Sequence, residues 1–417
     1  MSKLKKKGLV PELRFPEYRY ADEWGKKPLN KIAKIVMGSS PKSSAYNKNG
    51  VGLPLLQGNA DIKSRLSVPR IFTSQITKEC EIDDILLSVR APVGTVAKSK
   101  HNACIGRGMA AIRAIHGNYQ EFIYQWLLHF EPFWSDISQG GTFDAVNSDD
   151  IRKLLAPIPE KEEQKKIADC LSSLDELITA HTQKHEALQS YKKGLLQKLF
   201  PAEDETVPAL RFPKFGAEPD WVEEKFGDIT NFSSGGTPSK GREDYWDGDI
   251  PWISAASMHD ITIEDSERCI TKLAVEEGAR LAVKGTLLLL VRGSMLHKRI
   301  PLGIAGRDVA FNQDVKALNL KKPIFEEFLL YLLIASELRL LGAVTKTGIG
   351  AGKLDTADLK DFRFRIPLNT KEQQKIADCL SSVDNLIRAQ AQKIEELKDH
   401  KKGLMQKLFP NMDEVSR

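Results

Sequence analysis

Three stretches of this chain carry residue types that could do chemistry, and each falls short of the arrangement that chemistry needs. Residues 348–353 read GIGAGK, close to a phosphate-cradling loop. That pattern wants a glycine where Thr347 stands and a Ser or Thr where Leu354 follows Lys353. What remains is a plain turn, or a glycine-rich loop with Lys346, Thr347 and Lys353 whose backbone can approach a groove or a phosphate closely. Asp220, Glu223, Glu224 and Lys225 superficially match the acids and lysine that hold a metal beside a phosphodiester. Acids this close in sequence cannot come from two strands, so they read as a solvated charge run. His181 and His185 have the i, i+4 spacing of a zinc pair, yet no third ligand lies near them in sequence. The chain has no Asn-Pro-Pro-Tyr or Asp-Pro-Pro-Tyr, the usual motif of an adenine methyltransferase, and no glycine-rich cofactor loop after a strand. The expectation is a chain with no catalytic residue and no metal site, binding no cofactor itself.

The elements that position everything else are two near-copies of one stretch, residues 164–201 and 373–410. At a constant offset of 209, 26 of the 38 paired positions are identical; such a repeat governs the reading of the whole chain. Both copies read as helices. Leu171, Leu174, Ile178, Leu188, Leu195 and Leu199, and likewise Leu380, Val383, Ile387, Leu397, Leu404 and Leu408, fall on the 3,4 spacing of a heptad seam. These twelve are the candidate partner-binding residues, and the simplest partner for each helix is the other copy. A helix over 164–199 spans roughly 54 Å at 1.5 Å per residue, the length of a spacer. His181 and Gln390, and Lys192 and Lys401, interrupt the seam at matched places, as polar residues do where they fix register. Gly194 and Gly403 suggest a bend near each helix end.

The repeat extends beyond the helices. VPELRFP at 10–16 answers VPALRFP at 207–213, and Trp24, Ile32, Pro41 and Pro54 answer Trp221, Ile229, Pro238 and Pro251. Between these landmarks lie short apolar runs punctuated by Gly, Pro, Asn and Asp, read as strands and turns, with one helix over 122–133 and another over 325–341. Trp221 and Trp252 read as core. With 41% apolar and 28% charged residues the chain has material for real cores, and its net charge of +5 supports polyanion binding only weakly. Cys80, Cys104, Cys170, Cys269 and Cys379 include no CxxC pair and read as free thiols of a reducing compartment. No signal peptide is visible, and no apolar run reaches the length of a membrane span. The expectation is a cytoplasmic protein without a membrane partner. Its fold class is α+β: two domains with antiparallel sheets alternate with two long helices that pair as a coiled coil. The expected domains are 1–156 and 204–366, with spacers at 157–203 and 367–417.

Two variable domains alternating with two near-identical helices, with FSSGGTPSKGREDYW, GDIPWIS, LLLLVRG, AFNQD and then IP and EQQKIADCL in order, resemble the specificity (S) subunit of type I restriction-modification enzymes. The first half departs more, with MGSSP for SGGTP and IGRGMAAI for FNQDVKAL. The resemblance implies that each domain is a target recognition domain reading one half of a bipartite, asymmetric double-stranded DNA site. It also implies that the two helices pair as an antiparallel coiled coil, hold two modification (methyltransferase) subunits and recruit two restriction (translocase and nuclease) subunits. S-adenosylmethionine, ATP and Mg are then expected on those partners. Side chains suited to bases and phosphates give the candidate DNA-binding residues: Ser40, Lys42, Gln57, Asn59, Arg90, Arg107, Arg113, Thr142 and Phe143 in the first domain; Ser239, Lys240, Arg242, Ser254, Arg292, Ser294, Lys298, Lys346 and Thr347 in the second. Asn312 and Gln313 join them, although the turn in AFNQDV could equally be structural. The rival reading is a protein-interaction scaffold built on a coiled coil, without DNA affinity.

Overall fold

Strands buried on both faces organise each globular part. Ile85–Ser88 and Leu287–Leu290 contain no exposed residue, and because side chains alternate along a strand, each needs a layer on either side. In the first half Ile85, Leu87, Val96, Ala110 and Ile112 face Phe122, Ile123 and Trp126 of the helix Gln120–Phe130. Their neighbours Leu86, Ala97 and Ala111 join Leu56, Ala103 and Ile105 of a second sheet. The order is therefore helix, sheet, sheet. The computed structural model describes residues 9–134, 145–348 and 350–411, and the chain divides into two units, Met1–Thr182 with Gln392–Arg417, and Gln183–Ala391.

Both units use one plan. The first has a six-stranded sheet beginning Ala33–Met37, Met109–Ala114, Ile85–Ser88, Val96–Lys98 and a five-stranded sheet containing Leu53–Leu56 beside Ala103–Ile105. The second has Thr230–Ser234, Val315–Leu320, Leu287–Leu290, Leu302–Ala305 and Thr262–Ile263 in one sheet, and Trp246–Ile253 beside Val309–Phe311 in another. Most pairs are antiparallel. Parallel ladders join Leu55–Leu56 to Cys104–Ile105 and Trp252–Ile253 to Ala310–Phe311. The expected helices are shorter than read. The first ends at Phe130 and Pro132 lies in a single 3-10 turn, since proline cannot continue the backbone ladder. The second breaks at Ser336 into Glu326–Ala335 and Glu337–Gly342, with the Glu337 carboxylate accepting the Ile300 N–H at 2.8 Å. Trp24 and Trp221 are 3% exposed and Trp252 7%.

Two helices of 39 residues, Lys161–Leu199 and Thr370–Leu408, run through Gly194 and Gly403 without interruption, so the helical assignment carries no break at either glycine. Each unit holds the first half of one helix and the last half of the other. In the first unit Ile167, Ala168 and Leu171 pack with Met405, Leu408 and Phe409. In the second Ile376, Ala377, Leu380 and Val383 pack with Leu195, Leu199 and Phe200. The pairing within each unit is antiparallel: in the first, Leu13 and Arg14 tie Lys407 to Glu163 at the helix ends and Lys401 meets Asp175 further in; in the second, Leu210 and Arg211 tie Lys198 to Glu372 and Lys192 meets Asp384 further in. Of the predicted seam, Leu171, Leu195, Leu199, Leu380, Val383 and Leu408 are buried, while Leu174, Ile178, Leu188, Ile387, Leu397 and Leu404 are half-buried. Ile167 and Ile376, outside the predicted set, are buried as well.

Candidate nucleic-acid interface

Matched polar ties fix each globular part to the helix ends. The Arg14 guanidinium donates twice to Glu163, both at 2.7 Å, and also to the carbonyls of Ala21 and Asp22. Arg211 repeats this with Glu372 at 2.8 Å and the carbonyls of Glu218 and Pro219. The hydrogen-bonded carboxylates raise both arginines above their usual range. The repeated LRFP is thus a clamp. Gln164 accepts the Tyr119 N–H and Gln373 the Phe325 N–H, which docks the globular helix of each unit on its long helix. Deeper in the pair, Lys401 contacts both oxygens of Asp175 at 2.7 Å and Lys192 contacts Asp384 at 2.6 Å. The equivalent globular residues complete each pair: Gln125 donates to Asp175 at 2.8 Å, Tyr331 to Asp384 at 2.7 Å. Burial, then the Asp384 bond, push the Tyr331 phenol upward. The lysines read as seam interruptions are therefore ion-paired across the helices.

Away from the helices, two loops meet in the same way in each unit. The turn after Ala33–Met37 and the turn between Ala103–Ile105 and Met109–Ala114 are joined by Ser39 N–H to Ile105 C=O at 2.9 Å; in the second unit Gly236 N–H reaches Phe311 C=O at 2.9 Å. Gly106 and Asn312 N–H groups bond the carbonyls of Leu56 and Ile253, and Val89 and Val291 N–H groups bond those of Gly108 and Asp314. The approach is close enough to require glycine: a Cβ on Gly38 or Gly235 would stand 2.0 Å from a carbonyl oxygen. Superposing the strand ends makes Arg107 the counterpart of Gln313, Ser40 of Thr237, and Arg90 of Arg292.

The predicted residues divide on this scaffold. Ser40, Gln57, Arg90 and Arg107 come together: Ser40 Oγ accepts the Arg107 N–H at 3.1 Å, and the Cβ position of Gly106 lies 3.3 Å from Gln57 Cα. Lys42 is exposed, with its N–H on Gln75, while Asn59 opens a 3-10 turn. Arg113 is spent elsewhere, donating to both oxygens of Asp84 at 2.6 and 2.8 Å, which lifts its pKa. Thr142 and Phe143 lie outside the described residues.

In the second unit Arg292 pairs with Lys353, and Lys346 with Gly352, in a three-stranded sheet beside the turn Ser294–His297 and Lys298. Thr347 donates to the Ala351 carbonyl at 3.0 Å, beside the antiparallel pairing of Thr345–Lys346 with Gly352–Lys353. Gln313 is exposed and accepts from Thr237 Oγ1 at 2.8 Å. Asn312 is buried and caps its own turn, accepting the Asp314 and Val315 N–H groups. Ser239 and Lys240 lie on a loop against Trp246; Arg242 is bound by Asp244 and Glu277, and its pKa is raised by Asp244 first. Ser254 opens a 3-10 turn with Ser257. Among the described residues no ion pair engages Lys42, Arg90, Arg107, Lys240, Arg292, Lys298 or Lys346. Thr237 was not among the predicted residues; its match to Ser40 at the VPxLRFP offset was the available signal.

Among the described residues no cluster of three His, Cys, Asp or Glu is placed to hold a metal, and no helix is long and apolar enough to cross a membrane. The sequence matches the family described as "Type I restriction modification DNA specificity domain" over residues 21–190 and 218–399. It is 37% identical over 170 residues to the putative type I restriction enzyme MjaX specificity subunit of Methanocaldococcus jannaschii, covering 40% of each chain. It is 26% identical over 277 residues to the type I restriction enzyme EcoR124I/EcoR124II specificity subunit of Escherichia coli. That match takes in 64% of this chain and 63% of the relative. The chain thus spans less than two thirds of the length of both relatives. The fold is similar to the crystal structure of a type I restriction-modification S subunit from M. genitalium, with a TM-score of 0.63, 18% identity and coverage of 97% and 100%. It is also similar to a structure titled for complex assembly and conformational transition of the type I restriction-modification system, with a TM-score of 0.57, 18% identity and coverage of 93% and 98%. With family segments matched across most of both halves, the chain belongs to the type I restriction-modification DNA specificity family.

Proposed function

We propose that this chain is a DNA-specificity subunit without a catalytic centre, each globular unit reading one half of a bipartite, asymmetric duplex site. The observation that carries the reading is the pair of loop platforms, alike in backbone and different in side chain, each with an exposed arginine beside it. A symmetric reader of one palindrome has no use for two different faces. The long helices hold two methyltransferase subunits and, through them, two restriction subunits in the cytoplasm. S-adenosylmethionine, ATP and Mg belong to those partners. One feature of the helices supports two copies of a single partner: Lys166, Asp169, Ser173, Leu177 and Ala180 are exposed and identical to the exposed Lys375, Asp378, Ser382, Leu386 and Ala389. Exposed positions are not held alike by core packing.

The test is co-expression with the cognate modification subunit and genome-wide mapping of methylated adenines. One asymmetric two-part motif with a fixed gap is expected. A single unbroken motif, or a stable complex that binds no DNA, would overturn the reading.

A further inference from the structure

The two platforms amount to an internal experiment in which the backbone is held constant. At the loop apex the same three backbone bonds recur in both units, and the flanking strands Met109–Ala114 and Val315–Leu320 are both six residues long. On this fixed frame one exposed side chain stays the same, Arg90 and Arg292, and one changes, Arg107 and Gln313. The N–H groups of Val89 and Val291, each one residue before the shared arginine, bond the residue just after the apex. The backbone positions that carry the invariant and the variable side chain are therefore close in each unit. A phosphate is the same at every step of a duplex, whereas base edges differ, so a contact common to two unlike half-sites belongs to the backbone and one that differs belongs to a base.

Resting on the DNA reading above, we infer that Arg107 and Gln313 are equivalent base-reading residues, Arg107 selecting guanine in one half-site and Gln313 adenine in the other, while Arg90 and Arg292 hold phosphate. The guanidinium presents a fork of donors that fits the O6 and N7 acceptors of guanine; a carboxamide offers one donor and one acceptor, the pattern that fits adenine N7 and N6–H2. Each apex is preorganised for this. Ser40 Oγ receives the Arg107 N–H and fixes the backbone from which the guanidinium projects, and no acid neutralises that guanidinium among the described residues. The Thr237 hydroxyl donates to Gln313 Oε1, which sets the amide so that Nε2 is the end left for an outside acceptor. Oε1 keeps its second lone pair for the adenine amino group.

The experiment is selection of bound duplexes from a library randomised at every position, using the chain in complex with its modification subunit. The wild-type complex is expected to return a two-part motif with a guanine in one half and an adenine in the other. Gln313→Arg is expected to turn that adenine into guanine and leave the other half unchanged. Arg107→Gln should do the converse, and Arg107→Lys, which keeps the charge but loses the fork, should relax the guanine alone. Each change corresponds to roughly a tenfold to hundredfold shift in preference at one position. Arg90→Ala and Arg292→Ala should weaken binding to all sequences, leave the motif unaltered and flatten its salt dependence. A wild-type motif that survives both exchanges unchanged overturns the assignment of the apex while leaving the DNA reading intact. No motif from the wild-type complex overturns both.

Discussion

The helix ends and the apex loops of this molecule have opposite relations to the internal repeat. At the helix ends the matched residues make the same contacts: Arg14 with Glu163 and Arg211 with Glu372, Lys401 with Asp175 and Lys192 with Asp384. At the apices the backbone contacts are the same and the side chains differ. The helix ends thus have a fixed duty and the apices a variable one. Repeated side-chain chemistry marks the frame; repeated backbone with changed side chains marks the reader.

The strongest way to break the comparison is to cut the clamps. Glu163→Ala and Glu372→Ala each leave a guanidinium largely buried beside a missing carboxylate, and each should cost about 3–5 kcal/mol in denaturant unfolding. If the two costs differ several-fold, the clamps are not equivalent.

Next comes a difference between the units. His129 is stacked on Phe409 at 5.2 Å, and burial pulls its pKa down to about 4; counted along the paired helices its counterpart is Ala335. A histidine that titrates at 6.5 unfolded and about 4 folded contributes its full stability above pH 6.5 and loses it as the pH falls toward 4. The first unit should therefore lose up to about 3 kcal/mol over that window. Unfolding followed against pH should show this slope in the wild type and its loss in His129→Leu, with the second unit unaffected.

The ion pairs sharpen the comparison further. Asp384 is 10% exposed and Asp175 39%, so removing the lysine strands the first carboxylate in a drier place. Lys192→Met should cost about 2 kcal/mol and Lys401→Met about 1 kcal/mol in the same unfolding measurement. An equal loss would mean that the matched contacts, rather than burial, set the energy. The smallest effect is a gain. A Cβ at Gly194 or Gly403 meets nothing within 4 Å, so Gly→Ala at either should add about 0.5–1 kcal/mol of helix stability, read as a raised Tm.

Sequence alone determined the two long helices, their seam and the twofold order of the chain, because a heptad pattern and a 209-residue offset are properties of spacing. It also marked the loops that meet at each apex, since SSP and GGTP, and IGRG and FNQD, are turn chemistry between apolar runs. What it could not rank were the individual side chains. Arg107 and Arg113 are both arginines near one loop, yet the second is bound by Asp84, a residue 29 positions away; Asn312 and Gln313 are neighbours, yet one is spent on its own turn and the other faces outward. Whether a charged or amide side chain is available depends on which acceptor the fold delivers to it. That delivery is set by strand pairing between residues far apart in the chain, so only the tertiary structure decides it.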